Sequence, residues 1–174
     1  MKKTSLFILN LAFALTFGYQ SRCIAQATAT AAASANVIAP ISMIKNVDMN
    51  FGNIAVSMST GGTVSLVPSG TRSTGGAGGV TLPATSGTVA AASFTVSGNA
   101  SYTYAISLTA TVTITNGTQS MTVNGFSSIP SSTGALSTGG TQTINVGAVL
   151  NVSAGQNSGS YTNSSGVPVT VNYN

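Results

Sequence analysis

Side chains that could do acid–base or metal chemistry are almost absent from this sequence. Its 174 residues include no His, one Cys and a single acidic residue, Asp48. General acid–base catalysis needs a His or a pair of carboxylates with separated pKa values, and metal sites need clusters of Cys, His, Asp or Glu. One carboxylate supplies neither, so we expect no enzyme activity, no metal site and no bound cofactor.

Two cations in the body of the chain are the remaining candidates for chemistry. Lys45 lies three residues before Asp48, and we favour an exposed ion pair, which stabilises a protein little, over a base for a serine nucleophile. Arg72 follows Pro68 within a Gly/Ser/Thr-rich loop. It is expected to be solvated rather than bound to a carboxylate or a partner surface.

The first 25 residues have the pattern of a cleaved signal peptide. Two lysines precede an apolar run at 6–18 that is too short to span a bilayer. Cleavage is expected before Gln26, and the alternatives are cleavage before Thr28 or lipidation of Cys23. The sequence therefore predicts export to the periplasm, the cell surface or the extracellular space.

Removal of residues 1–25 leaves a chain with almost no charge. The formal charge of +4 falls to +1, because two lysines and one arginine leave while Lys45, Arg72 and Asp48 remain. Two cations cannot supply the phosphate contacts that drive nucleic-acid binding. No later apolar run is long enough for a transmembrane helix.

The rest of the composition indicates an all-β protein. Val, Thr and Ala alternate with Gly, Ser and Asn, and the sole Cys leaves with the signal peptide. Short alternating segments separated by turn residues predict an antiparallel β-sandwich of about eight or nine strands without a disulfide. We assign residues 36–174 to this single domain and residues 26–35 to an Ala/Thr-rich N-terminal arm.

The strongest alternation is YTYAISLTATVTIT at residues 102–115. It predicts one long strand that bends or changes sheets partway. Tyr102, Tyr104 and Phe94 are predicted to lie in the core. Shorter strands are predicted around the alternating pairs and runs at 64–66, 80–82, 94–96, 121–123 and 144–150.

Turn signals separate these segments. Asn116-Gly117 predicts the turn before the strand at 121–123. Ser-Thr-Gly-Gly occurs at 59–62, 73–76 and 137–140, and we interpret all three as turns. The Gly-rich run at 74–79 lacks the Gly-Lys-Ser/Thr of a phosphate-binding loop, so that function is excluded.

The N-terminal region keeps one apolar parity over a long distance. Odd positions from 27 to 51 are apolar except at Lys45. Pro40 cannot donate to a sheet ladder, so we predict strands at 36–44 and around 47–56, with a short helix as the alternative for 27–35. The arm presents a face of small residues that docks weakly by itself: Ala27, Ala29, Ala31, Ala33 and Ala35.

The chain ends in a strand, GVPVTVNYN, with one apolar face. The residues of this face are Val167, Val169, Val171 and Tyr173. The preceding YTNSSG at 161–166 is expected to hold a bulge or a loop.

Six short motifs occur in order along the chain: API at 39–41, NFG at 50–52, PSGTR at 68–72, FTVSG at 94–98, AGQ at 154–156 and VNY at 171–173. Together they resemble the domain of unknown function 4402 family of secreted bacterial proteins. The resemblance covers residues 36–174 in order.

The family is similar to immunoglobulin-like fimbrial subunits of the chaperone–usher type, which end in an alternating strand with a penultimate tyrosine. Tyr173 fits that pattern. The resemblance implies an immunoglobulin-like sandwich whose partners are copies of itself, other pilin-like subunits and a periplasmic chaperone. It also implies strand pairing through the C-terminal face and the arm at 27–35.

Two other functions stay open at the level of sequence. One is a self-complete, secreted monomeric sandwich of the cell surface or matrix. The other is a weak carbohydrate-binding module, since Ser/Thr/Asn faces can contact sugars, although the sequence does not locate such a site.

Overall fold

A computed structural model of the protein describes residues 25–174. The signal peptide predicted at 1–25 therefore lies almost wholly outside the described residues. Residues 37–174 form one compact unit, and residues 25–41 contain neither a helix nor a strand. None of the described residues forms a helix that is long and apolar enough to cross a membrane.

The unit is all-β, as predicted, and its sheets are antiparallel. Its strands are β1 (Ser42–Val47), β2 (Ala55–Val56), β3 (Gly62–Leu66), β4 (Arg72–Gly75), β5 (Val80–Thr81), β6 (Ala92–Ser97), β7 (Thr103–Leu108), β8 (Thr111–Thr115), β9 (Ser120–Ile129), β10 (Thr133–Ala135), β11 (Thr141–Val152) and β12 (Val169–Tyr173).

The main sheet has seven strands arranged around β11. One edge of β11 pairs first with β6 and then with β3, and its other edge pairs with β9. Strand β1 lies outside β6, β4 outside β3, and β8 outside β9. The change of partner occurs at Gly147, where a Cβ would lie 2.2 Å from the carbonyl oxygen of Leu66. Only glycine allows so close an approach of two backbones.

A second sheet of three strands has the order β10-β7-β12, and β2 and β5 form a small two-stranded sheet. The predicted long strand is divided between the two larger sheets. Residues 103–108 form β7 in the second sheet, the chain turns at 109–110, and residues 111–115 form β8 in the main sheet. The predicted change of sheet is therefore present.

Two apolar clusters form the core. One contains Phe94 and Ile144 of the main sheet together with Tyr104 and Ile106 of the second sheet, so the two sheets pack face to face as a sandwich. The other lies under the remaining part of the main sheet and includes Val64, Val123 and Leu150. Burial of this apolar surface is the main stabilising contribution available, because residues 25–174 contain no Cys.

Several sequence predictions need correction. The unit has twelve strands rather than eight or nine, because short edge strands such as β4 and β10 have few apolar residues to reveal them. The strand predicted at 36–44 is β1, which begins after Pro40. The strand predicted at 47–56 is reduced to β2 and one bridge from Asn50 to Ala90.

A β-bulge explains much of the change in the N-terminal region. The register between β1 and β6 shifts between Lys45 and Val47, at the position where the apolar parity of the sequence breaks. A bulge bends the strand and ends regular pairing. Met49 and Phe51 nevertheless pack against the core, as their parity predicts.

Tyr102 was predicted to lie in the core, and this is wrong. Its side chain is 40% exposed, whereas Tyr104 is fully buried and Phe94 nearly so. Tyr102 precedes the first residue of β7, where the opposing main sheet no longer covers it. Its aromatic contact is with Tyr173, at a ring-centroid distance of 5.7 Å and an angle of 66°.

Candidate strand-pairing site

Strand β12 contains three of the four residues predicted to form the C-terminal pairing face. Val169, Val171 and Tyr173 pair with Leu108, Ile106 and Tyr104 of β7 in an antiparallel register. Their side chains are half-buried and pack against the core cluster between the two sheets. Val167 is also half-buried but precedes the strand, because residues 161–166 form a loop, as predicted.

The Tyr173 hydroxyl fixes the end of β12 to two other segments. It accepts a hydrogen bond from the Asn99 backbone N–H at 2.6 Å and donates one to the Ala39 carbonyl oxygen at 2.9 Å. Gly98 is necessary for this geometry, since a Cβ at that position would lie 2.2 Å from the Tyr173 hydroxyl oxygen. The penultimate tyrosine therefore ties the terminal strand to the segment before β1 and to the segment after β6.

The second edge of β12 has no strand beside it among the described residues. The Asn174 N–H donates to the Thr103 carbonyl oxygen, so the backbone groups of 170 and 172 face β7 by alternation. Those of Val169, Val171 and Tyr173 face the open edge. Three residues thus present unpaired backbone donors and acceptors to any strand that approaches.

The open edge of β12 lacks the features that usually block edge-to-edge pairing. Such features are charged residues, prolines and bulges, and residues 169–173 contain none of them. The outer edge of β1, in contrast, carries Lys45 and a bulge. Among these two edges, β12 is the one suited to accept another strand.

A wide groove lies beside this region and has a volume of about 1200 Å³. Its floor consists of apolar residues of the main sheet, among them Phe94, Ile114, Met121 and Val123. Segment 45–56 forms one wall, and the Ser/Asn-rich segment 156–167 forms the other. Ile114 and Met121 are half-buried in this floor, whereas Phe94 and Val123 are buried. Nothing in the sequence pattern predicted the groove.

Arg72 holds the first wall in place. Its guanidinium donates to the carbonyl oxygens of Phe51 and Asn53, the latter at 2.9 Å, and reaches that of Ser86 at 3.4 Å. Arg72 is half-buried, and it begins strand β4 rather than lying in a solvated loop. The prediction of a solvated Arg72 was therefore wrong, because a planar guanidinium with five donors suits converging carbonyls better than water alone.

A network of amides holds the second wall. The Gln119 side-chain oxygen accepts from the Asn157 N–H at 2.6 Å and lies 3.2 Å from the Tyr161 hydroxyl. Gln156 donates to the Ser120 carbonyl oxygen at 2.9 Å. These contacts fasten the wall to the turn at Asn116-Gly117, where Gly117 has a φ of 92°, as the turn prediction requires.

Lys45 and Asp48 lie at the rim of the groove and form the predicted ion pair. The Lys45 Nζ donates to the Asp48 carboxylate at 2.6 Å, and the two side chains are 56% and 76% exposed. Ser42 precedes Lys45 by three residues, a spacing found in Ser–Lys dyads. On β1, however, residues three apart project to opposite faces of the sheet, so the Ser42 hydroxyl is not aimed at the Lys45 amine.

The remaining titratable group of interest is buried away from the groove. Burial raises the pKa of the Tyr104 phenol above its ordinary value, because the charged form would lose its hydration. Its hydroxyl donates to the Gln142 side-chain oxygen at 2.7 Å. Within residues 25–174, no three His, Cys, Asp or Glu residues lie together as metal ligands.

The comparison with protein families agrees with the motifs seen in the sequence. The family model described as "Domain of unknown function (DUF4402)" matches residues 41–173. The chain belongs to the DUF4402 family. No curated protein and no solved structure gives a significant match.

The arm residues of the predicted site, unlike β12, do not lie in a paired strand. Ala27, Ala29, Ala31, Ala33 and Ala35 lie in a segment without strand or helix, so the alternative of a short helix at 27–35 is not seen. The structure places them outside the compact unit 37–174. Their role in pairing stays a prediction.

Proposed function

We propose that this protein is a non-catalytic, exported structural subunit that assembles into a surface filament or pilus-like fibre by β-strand pairing. The observation that carries the proposal is the open edge of β12, which is uncharged and has no bulge or proline. An exposed edge of this kind templates another strand, and the main-chain hydrogen bonds supply affinity. The partner would be a second copy, a related subunit or, before assembly, a chaperone.

The arm at 27–35 is the segment of a second copy that best suits this edge. It is uncharged and alternates Ala with Thr, Ala or Ser, and nine extended residues span about 30 Å. Its apolar face consists of small residues, which need no deep pockets in the surface that they contact. Alternation gives the arm and β12 the same two-residue period.

A self-complete monomer of the cell surface is the second candidate function, and one observation favours it. Strand β12 already pairs with β7 of its own chain, and Tyr173 is hydrogen-bonded on both sides. The domain can therefore close without a partner strand.

One comparison distinguishes the two functions. Residues 26–174 and a form starting at Asn36 are purified and examined by size-exclusion chromatography and on unboiled SDS gels. Strand exchange predicts SDS-resistant ladders for the longer form that disappear without the arm. Equally stable monomers in both cases would favour the self-complete monomer.

A further inference from the structure

The outer face of the main sheet carries a regular array of hydroxyl and amide side chains. Register between β8, β9, β11 and β3 defines two rows of residues across four strands. One row is Thr111, Asn124, Val149 and Ser65, and the other is Thr113, Thr122, Asn151 and Thr63. We call these eight residues the hydroxyl face.

Burial confirms that the rows point away from the core. Thr111, Thr113 and Thr122 are exposed, whereas their strand neighbours Val112 and Val123 are buried. Neighbouring side chains in a row are about 4.8 Å apart, and the two rows are about 6.7 Å apart along each strand. The face is thus a two-dimensional lattice of polar groups set by the sheet itself.

Most hydroxyls of this lattice are available to a ligand. Those of Thr111, Thr113 and Thr122 make no hydrogen bond to another residue in the described part of the chain. The amide of Asn151, in contrast, is already hydrogen-bonded within the face. It donates to the Thr122 carbonyl oxygen and to the Asn124 side chain, each at 3.1 Å. That bond orients two amides within the face.

The chemistry of the face excludes several kinds of partner. No charged side chain lies on it: Lys45 and Arg72 stand opposite Phe94 and Leu66, and so share the parity of the core. An anionic polymer therefore has nothing to bind. The face also lacks the Trp, Tyr and Arg anchors that dominate protein–protein interfaces, and its only apolar member, Val149, is half-buried.

We infer that the hydroxyl face binds a neutral polysaccharide. Such a polymer is uncharged and repeats hydroxyl groups along its length, which matches a lattice of uncharged donors and acceptors. Single hydroxyl contacts are weak in water, but a polymer that contacts several residues of both rows at once gains affinity through effective concentration. This inference is independent of strand pairing, because β12 belongs to the other sheet.

The test is co-sedimentation of residues 26–174 with insoluble cellulose, mannan and chitin, with an alginate gel as the anionic comparison. The variant is Thr113→Val/Thr122→Val, which removes two hydroxyls but keeps β-branched shape and strand propensity. The matched control, Thr103→Val/Thr170→Val, makes the same change on the outer face of the second sheet. Urea midpoints verify that all three proteins are folded.

We expect at least one neutral polysaccharide to sediment the native chain and the control, and the alginate gel to sediment neither. The Thr113→Val/Thr122→Val variant should bind about tenfold or more weakly. Failure of all three neutral polymers to bind would overturn the inference, and so would equal binding by the variant. Fibre formation through β12 would itself sediment the native chain without polymer, so binding is scored as the increase over a polymer-free sample.

Discussion

The few residues with unusual chemistry in this protein serve its architecture. Arg72 is a cation without a carboxylate partner, and it instead gathers carbonyl oxygens from two loops that border the groove. Tyr173 likewise binds backbone groups of Asn99 and Ala39, and Gln119 binds the backbone N–H of Asn157. In a nearly uncharged chain, these polar side chains bring together backbone groups that no sheet ladder satisfies.

Replacing Arg72 tests its role in holding the groove wall. Arg72→Met keeps an unbranched chain of similar length but removes all donors, so we expect a loss of about 2–3 kcal/mol in the free energy of unfolding. Urea denaturation measures it. The matched control Lys45→Met also removes one cation, and should cost at most about 1 kcal/mol because its ion pair is exposed. Equal losses of stability for the two substitutions would contradict the role of Arg72 in holding the groove wall.

The raised pKa of Tyr104 predicts how the free energy of unfolding depends on pH. Its pKa is raised in the folded protein, while in the unfolded chain it ionises at about pH 10. The contribution of the buried, neutral Tyr104 to the free energy of unfolding is fully present below that pH. It is lost as the pH rises further, because the phenol of the unfolded chain releases its proton first.

Tyr104→Phe tests this dependence by urea denaturation between neutral pH and the alkaline range. At neutral pH the variant should lose about 1 kcal/mol with the hydrogen bond to Gln142. Above about pH 10 its stability should fall less steeply than that of the native chain. An unchanged slope would show that burial of the phenol is not responsible.

At the scale of elements, the period of the sequence predicted strands but not which strands pair with each other. Alternation correctly identified β3, β6, β7, β8, β11 and β12, because one face of each strand is buried. Strand β4 was missed because Arg72–Gly75 offers no apolar face. The groove was missed because it depends on how far segments 45–56 and 156–167 lie apart, which no local pattern encodes.

The repeated Ser-Thr-Gly-Gly shows why local patterns are insufficient. At 137–140 it forms the predicted turn, with the Ser137 hydroxyl accepting from the N–H groups of Gly139 and Thr141. At 73–76 its first three residues instead lie in β4, and only Gly76 has a positive φ. The same four residues form a turn at one site and part of a strand at the other. Pairing with a neighbouring strand, here β3, determines which conformation they take.

The open edge of β12 gives a prediction at this scale. Thr170→Lys/Asn172→Lys places two charges on the exposed face of an edge strand, which opposes pairing with another chain. The control Thr103→Lys/Ser107→Lys adds the same charges to the same face of the central strand β7. If β12 is the pairing edge, SDS-resistant ladders should disappear in the first variant and persist in the second. Ladders that persist in both would place assembly elsewhere.

At the scale of the whole molecule, the domain is a sandwich in which the outer edge of β12 is open and carries no charge, proline or bulge. Strand β12 is held by β7 and by the Tyr173 hydroxyl within its own chain. In the proposed assembly a second chain must supply a segment with a matching period, and the alternating arm at 27–35 is such a segment. The hydroxyl face lies on the other sheet, so pairing at the β12 edge does not use its residues.

Disulfide trapping between two different variants tests the central claim most directly. Residues 26–174 contain no Cys, so Asn172→Cys marks the β12 edge alone, and single cysteines at 28, 30, 32 and 34 scan the arm. Each arm variant is mixed with Asn172→Cys under oxidising conditions, and the products are separated on non-reducing gels. Facing residues on adjacent antiparallel strands have Cα atoms about 4.5–5.5 Å apart, within the range of Cα separations that a disulfide spans.

The account predicts mixed dimers at one or two arm positions, with Ser107→Cys of the central strand giving none. A double variant that carries both cysteines in one chain should form linked oligomers rather than a closed monomer. Absence of mixed dimers at every arm position, or exclusive formation of the internally linked monomer, would contradict pairing of β12 with the arm of another chain.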